Sequence, residues 1–288
     1  MAHPQHPSAQ LETLEQLDAA LAEVTKWEKE QKKLMIWDRM SRLPFKLLDK
    51  ITPKIIHDKI GQLLDELGSY IQNGGNYLVA GRKVGTLVAS QSQAAGGSER
   101  GPYSLSVMDA SALQLIETGR ETATIQGATT GVGGVFTLAV DIPATLGLSL
   151  KVIQEIGLCY GYDPTDKAER IFTVKVMQFA SSDIVGKQAI LEELNLQAGG
   201  SGDILEGTNA ALSKIKGWHE VITVYRDNFG WKKLLQMVPV AGIVFGAYTN
   251  RKTIEDVGEA ARMLYRKRRI LARMVEMQRV GGDKSLEL

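Results

Sequence analysis

The sequence predicts an all-α fold, a multi-helix bundle with central glycine-rich apolar helices, and three observations carry that prediction. Apolar residues recur at helical spacing in the segments of highest helix propensity. No strict two-residue alternation runs beyond about four residues, as a half-buried strand would require. The longest charge-free runs carry glycines four residues apart, the spacing that lets helices cross closely.

From Leu11 to about Lys33 the chain reads LETLEQLDAALAEVTKWEKEQKK, with Leu11, Leu14, Leu17, Leu21 and Val24 on one predicted helical face. Pro44 and Pro53 punctuate the next stretch, in which LPFKLLDKI and KIIHDKIGQLLDELGSYI read as a short and a longer helix ending near Asn73 to Asn76. The run QSQAAGGSERGP, Gln91 to Pro102, has no apolar period and predicts an exposed loop. A second glycine-rich connection, Ala198 to Gly202, precedes a helix-like stretch holding Trp218, His219 and Val221. The final long helix is expected to begin after Thr253, with Asp256 three residues on at capping-box spacing.

Residues 11–280 thus read as one helical domain, with amphipathic basic helices over 11–72 and a core over 103–275. Residues 1–10, with two histidines, two prolines and no apolar run, predict a disordered leader rather than a signal or anchor, and 281–288 a flexible tail.

Two charge-free segments stand out. Thr122 to Val140 spans nineteen residues, with Gly127, Gly131 and Gly134 at i, i+4 and i+7, and is followed by Asp141-Ile142-Pro143. Leu234 to Asn250 holds Pro239, then Gly242 and Gly246 four apart. Gly131 and Gly242 are expected to admit a neighbouring helix closely. Thr122, Thr124, Thr129, Thr130 and Gln126 in the first segment, and Pro239 in the second, fit a spanning helix poorly, so each segment reads either as a buried helix or as a membrane-inserted or re-entrant hairpin.

Gly127-Ala128-Thr129-Thr130-Gly131-Val132-Gly133-Gly134, Asp141-Ile142-Pro143, Gln154-Glu155-Ile156, Tyr160-Gly161-Tyr162-Asp163-Pro164, Glu169-Arg170, and Pro239-Val240-Ala241-Gly242 with Gly246, Ala247 and Asn250 occur in that order. With these residues, between about Lys46 and Arg269, the chain resembles the EcsC family, named for a bacterial protein encoded beside an ABC transporter. The resemblance implies association with bacterial membranes or transport systems and brings no established catalytic residues.

Each polar residue of the motif has two readings. Asp141 either caps a helix starting near Pro143 or presents a buried carboxylate to a ligand or ion path. Asp163, followed by Pro164, reads as the cap of the next helix, with Gly161 closing the preceding one in a left-handed conformation. Glu155 either pairs with Lys151 one turn back or meets Arg170 across a helical hairpin.

Common enzyme signatures fail on inspection. Gly131 to Phe136 lacks the third glycine of a dinucleotide loop, Gly202 to Thr208 lacks the lysine of a phosphate loop, and His219 to Thr223 has threonine where a zinc protease needs its second histidine. No G-x-S-x-G elbow occurs, and Cys159 reads as an inert packing residue. Neither a cofactor nor a metal site is expected. The single cysteine excludes an intrachain disulfide and fits a reducing cytosol. Thirty-four basic and thirty-three acidic residues leave a formal charge of +1, which lacks the global footprint of a nucleic-acid binder.

Charge is instead uneven. Between Lys26 and Lys59 ten basic residues face five acidic ones, interleaved with Trp27, Trp37 and Phe45, a composition suited to an anionic membrane interface. Arg266, Lys267, Arg268, Arg269 and Arg273 form a second cluster that could face the same surface or an acidic partner. The leading expectation is a non-enzymatic protein, cytoplasmic and peripheral at the inner face of the membrane, that engages anionic lipid or a membrane transport protein. The small-molecule ligand, if any, is unspecified, and the alternative is a hydrolase in which Asp141, Glu155 and Asp163 converge on a metal or a water.

Replacing Lys29, Lys33, Arg39 and Arg42 by glutamine should lower flotation with anionic vesicles without unfolding the domain, each well-placed charge contributing about 1 kcal/mol. Equal flotation of parent and variant would remove this basic segment from the contact.

Overall fold

A computed structural model describes residues 11–31, 79–131, 135–182, 184–199 and 239–283. Among these residues the chain forms seven helices and no strands: α1 (Leu14–Gln31), α2 (Gly81–Ala94), α3 (Leu105–Thr130), α4 (Val135–Cys159), α5 (Lys167–Ser181), α6 (Ile184–Gly199) and α7 (Pro239–Asp283). The all-α class is therefore the observed one. The predicted helices between Pro44 and Asn76, together with Lys33, Arg39, Arg42, Trp37, Gly134 and the stretch around Trp218, lie outside the described residues.

The first helix begins with a reciprocal cap: the Gln16 backbone N–H donates to Thr13 Oγ1 at 3.2 Å, and the Thr13 N–H donates to Gln16 Oε1 at 2.8 Å. Its buried face is Leu17, Ala20, Val24 and Trp27, whereas Leu14 is half exposed, so the predicted stripe is rotated toward the C-terminal half. Trp27, expected at a membrane surface, is instead in the core. Its ring lies 5.5 Å from Phe179 and its indole N–H donates to Glu259 at 3.1 Å, which satisfies both the apolar body and the polar tip.

The central pair is α3 and α7, which run antiparallel. Ile116 packs onto Gly258, where an added Cβ would come within 2.7 Å of it, and Gly119 faces Ile254 and Val152 of α4. Further along, a Cβ added at Gly127 would fall on the Gly246 carbonyl, and one added at Gly246 on the Gly127 carbonyl. The two backbones therefore touch at this crossing, and only glycine fits at either position. The contact sits at Gly127 and Gly246, one turn from the Gly131 and Gly242 expected. Gly131 remains close, its Cα 3.5 Å from where a Gly246 Cβ would sit.

Three predicted boundaries move. The Gly127, Gly131 part of the predicted stripe is not continuous on α3, because α3 ends at Thr130 with Gly131 as its cap; Gly134 lies outside the described residues. Conversely, α7 runs unbroken from Pro239, so Thr253 is no cap; it is buried mid-helix with its hydroxyl returned to the Thr249 carbonyl at 2.8 Å. Helix α2 continues to Ala94, into the segment expected to be loop, and its Val84 and Val88 pack with Val107 and Cys159.

Gly127→Leu or Gly246→Leu should lower the free energy of unfolding by about 3 kcal/mol or more, and alanine at either position by about 1–3 kcal/mol, because the obstructing atoms are backbone. Gly147→Ala, where an added Cβ meets nothing within 4 Å, should raise it by about 0.5–1 kcal/mol through helix propensity. Chemical denaturation of the five variants checks the ranking.

Candidate functional site

Asp141 does not cap a helix. It lies inside α4, six residues past its start, and is 0% exposed. Helix α4 continues through Pro143, although proline supplies no N–H to the carbonyl four residues back. What holds Asp141 is tertiary: its Oδ1 accepts from Thr130 Oγ1 at 2.8 Å, Asn250 Nδ2 at 2.8 Å and Gln126 Nε2 at 3.4 Å. The same Gln126 amide donates to Thr145 Oγ1 at 3.1 Å. Side chains from α3, α4 and α7 thus converge on one carboxylate oxygen. A carboxylate taken out of water costs many kcal/mol unless donors replace its hydration, and this cluster supplies them.

The other motif residues build a second feature at the far end of α4. The Gly161 N–H donates to the Leu158 carbonyl and the Tyr162 N–H to the Gly157 carbonyl, each at 3.0 Å, with Gly161 at φ +86°. This is a Schellman stop, as expected of Gly161. Asp163 accepts from the Thr165 N–H at 2.8 Å and the Asp166 N–H bonds the Asp163 carbonyl at 3.1 Å, so Asp163-Pro164 opens a β-turn. Helix α5 starts only at Lys167 with Asp166 at its cap position, which corrects the cap assigned to Asp163. Arg170 donates to the Thr165 carbonyl within the same turn. Glu155 takes the local reading and pairs with Lys151 at 2.6 Å. Tyr160 donates to Asp109 at 2.5 Å, and burial first, then the Asp109 charge, hold its hydroxyl well above the usual tyrosine pKa.

Of the five cations in the basic cluster of α7, Arg266, Lys267, Arg268 and Arg273 pair with acidic side chains elsewhere in the bundle. Arg266 bridges Asp109 on α3 at 2.9 Å and Glu23 on α1 at 2.8 Å; Lys267 reaches Glu28 at 2.7 Å; Arg273 pairs with Glu12. Arg268 grips Glu169 with both nitrogens, at 2.8 and 2.5 Å, and its guanidinium lies 4.1 Å from the ring centroids of both Tyr162 and Phe172. Burial works against that charge, but the Glu169 hydrogen bonds and charge overcome it, and the Arg268 pKa is raised. Sequence reasoning missed Arg268 as the partner of Glu169 because the two lie far apart in the chain.

Asp141 and Glu155 are fourteen residues apart on one helix, about 21 Å along its axis, and Asp163 lies beyond the helix end. The three carboxylates therefore stand in three separate environments. Among the described residues no group of three His, Cys, Asp or Glu side chains is placed to hold a metal ion. Cys159 is buried, and burial followed by the Glu155 charge pushes its thiol up to about 12, so it is un-ionised and unreactive near neutral pH.

The Asp141 cluster sits at a distinctive end of the bundle. Around it, five large apolar side chains are exposed: Ile125 (71%), Val140 (64%), Ile243 (40%), Val244 (70%) and Tyr248 (65%). No described helix is long and apolar enough to cross a membrane.

Fold and motif together define a class: a helical protein with a glycine-crossed core and a buried aspartate. A model of the EcsC protein family matches residues 18–270, and the chain belongs to that family. It is similar to the protein YdbA of Bacillus subtilis (strain 168), 50% identical over 273 residues that cover 93% of this chain and 98% of that protein. It is also similar to Protein EcsC of the same organism, 29% identical over 162 residues covering 56% of this chain and 64% of that one. No solved structure matches.

Asp141→Ala should cost about 3 kcal/mol, because it removes the acceptor shared by Thr130, Asn250 and Gln126 and opens a cavity. Asp141→Asn, which keeps one acceptor, should cost about half of that. Asp141→Ser should not rescue, since a hydroxyl on the shorter side chain cannot meet three donors. Denaturant midpoints separate this from a helix cap, for which alanine costs about 0.5–2 kcal/mol and serine restores stability.

Proposed function

We propose that this EcsC-family chain is a non-enzymatic, membrane-peripheral protein that engages lipid or a membrane transport or secretion partner at the inner face of the membrane. The single observation that carries this reading is the exposure of five large apolar side chains at one end of the bundle, around the Asp141 motif. A monomeric protein free in water keeps such residues scattered, and a concentration of them marks an interaction surface. The motif residues themselves support a binding role over hydrolysis: Glu155 is in an ion pair with Lys151, Asp163 is in a turn, and Asp141 is enclosed by amide and hydroxyl donors.

The N-terminal basic segment, Lys26 to Lys59, is described only as far as Gln31. Of its described members, Trp27 is in the core and Glu28 is paired with Lys267, while Lys26 and Lys29 remain exposed.

Fractionation of the untagged chain from bacterial cells should recover it with membranes, and high-salt washing should remove only part of it. Carbonate washing should strip it, as expected for a protein that does not span the bilayer. Complete recovery in the cytosolic fraction, with or without salt, would overturn the reading.

A further inference from the structure

We propose that the charge-free end of the α3, α4, α7 bundle inserts into the hydrocarbon of one membrane leaflet, down to a collar of ion pairs that stays in the headgroup layer. This rests on the membrane-peripheral reading and names the surface and its partner, the lipid acyl region.

Contacts across the bundle set the register. On α3 and α7, Gly119 faces Ile254 and Gly127 crosses Gly246; on α3 and α4, Gly119 faces Val152 and Gln126 reaches Thr145. In this register the first charges inward from the end fall at one level on all three helices: Arg120 and Glu121 on α3, Lys151 on α4, Arg251 and Lys252 on α7. Beyond that level the described parts of the three helices hold a single Asp, Glu, Lys, Arg or His side chain, Asp141, which is fully buried and hydrogen-bonded. From Glu121 to Gly131 is ten residues, about 15 Å of helix, which is half of a hydrocarbon core about 30 Å thick.

Immediately below lies the collar. Arg120 pairs with Glu117 at 2.7 Å, Arg251 with Glu117 at 3.4 Å, and Lys252 with Asp256 at 2.9 Å, all partly exposed. Apolar material ending abruptly at a ring of both charge signs is the profile of an interface, not of a protein contact with its polar rim on one side.

Two further observations favour lipid over a protein partner. Ile125 and Gly127, and likewise Val244 or Tyr248 and Gly246, are two residues apart and so about 200° apart around their helices. The exposed side chains therefore point away from the glycine crossing on both α3 and α7, and with Val140 on α4 they form a belt. A belt suits a surrounding medium; a single protein face would cover one side. The polar side chains from Thr122 to Thr130 that made this a poor membrane segment are also satisfied internally. Thr122, Thr124 and Thr129 return their hydroxyls to the carbonyls of Thr118, Arg120 and Ile125, Thr130 reaches Asp141, and Gln126 donates to Asp141 and Thr145. Back-bonded threonines and paired amides enter hydrocarbon without orphaned donors.

The test is flotation of the full chain with vesicles of phosphatidylcholine alone and of phosphatidylcholine with phosphatidylglycerol, at low and high salt. The triple variant Ile125→Gln, Val244→Gln, Tyr248→Gln alters only exposed side chains and should melt like the parent. It should lose at least about tenfold in partitioning to both vesicle types, with the loss persisting at high salt, because apolar insertion is not screened. Leu113→Gln, exposed on α3 below the collar, should bind as the parent does. If parent and triple variant float equally, the end does not insert, and the membrane reading survives through another surface. If the parent binds native membranes but no protein-free vesicle, the partner is a protein and the insertion is overturned. If it binds neither, both readings fall.

Discussion

The backbone contact between Gly127 and Gly246 is the constraint on which the rest of the motif depends. At this point α3 and α7 approach more closely than any Cβ would allow, so the polar side chains next along each helix converge without long reaches. Gln126 and Thr130 flank Gly127 on α3, and Asn250 lies one turn beyond Gly246 on α7; all three meet the carboxylate of Asp141 on α4. A wider crossing would leave Asp141 short of donors in a site from which water is excluded, a cost no local adjustment of α4 could offset. The glycines and the aspartate are therefore one structural unit.

The opposite half of α7 is organised by charge. Arg266, Lys267, Arg268 and Arg273 each reach a different neighbour, on α1, α3, α5 or the segment before α1. These pairs are buried on one or both sides, where the cost of desolvation offsets much of the attraction, so their main effect is to select one arrangement of helices around α7. Arg268 is the best determined, because its flat guanidinium is held between Tyr162 and Phe172 while both ends of the fork bind Glu169. Lysine could not reproduce that geometry.

The bundle is thus polarised along its length, with ion pairs at one end and an end without exposed charge among the described residues at the other. That polarity gives the EcsC-family fold a physical rationale for acting at a boundary between water and an apolar phase. The glycine crossing keeps the apolar end narrow, and the Asp141 cluster lets helices with polar residues reach into it.

The sequence by itself determined the helical class, the inertness of Cys159, the left-handed stop at Gly161 and the importance of small residues in the two charge-free runs. These follow from local physics: periodicity, burial of a lone thiol, and the conformational freedom of glycine. Tertiary structure decided which glycines touch, that Asp141 sits mid-helix rather than at a cap, that Asp163 opens a turn, and that most of the basic run of α7 pairs within the bundle. Local rules assigned Asp141 by its proximity to Pro143, but its donors come from two other helices, Thr130 from the one before and Asn250 from one far along the chain, and their combined strength outweighs a proline within α4. Charge spacing likewise cannot reveal that Arg266, Lys267, Arg268 and Arg273 have acidic partners, since those partners lie far off in the chain and only packing brings them within reach.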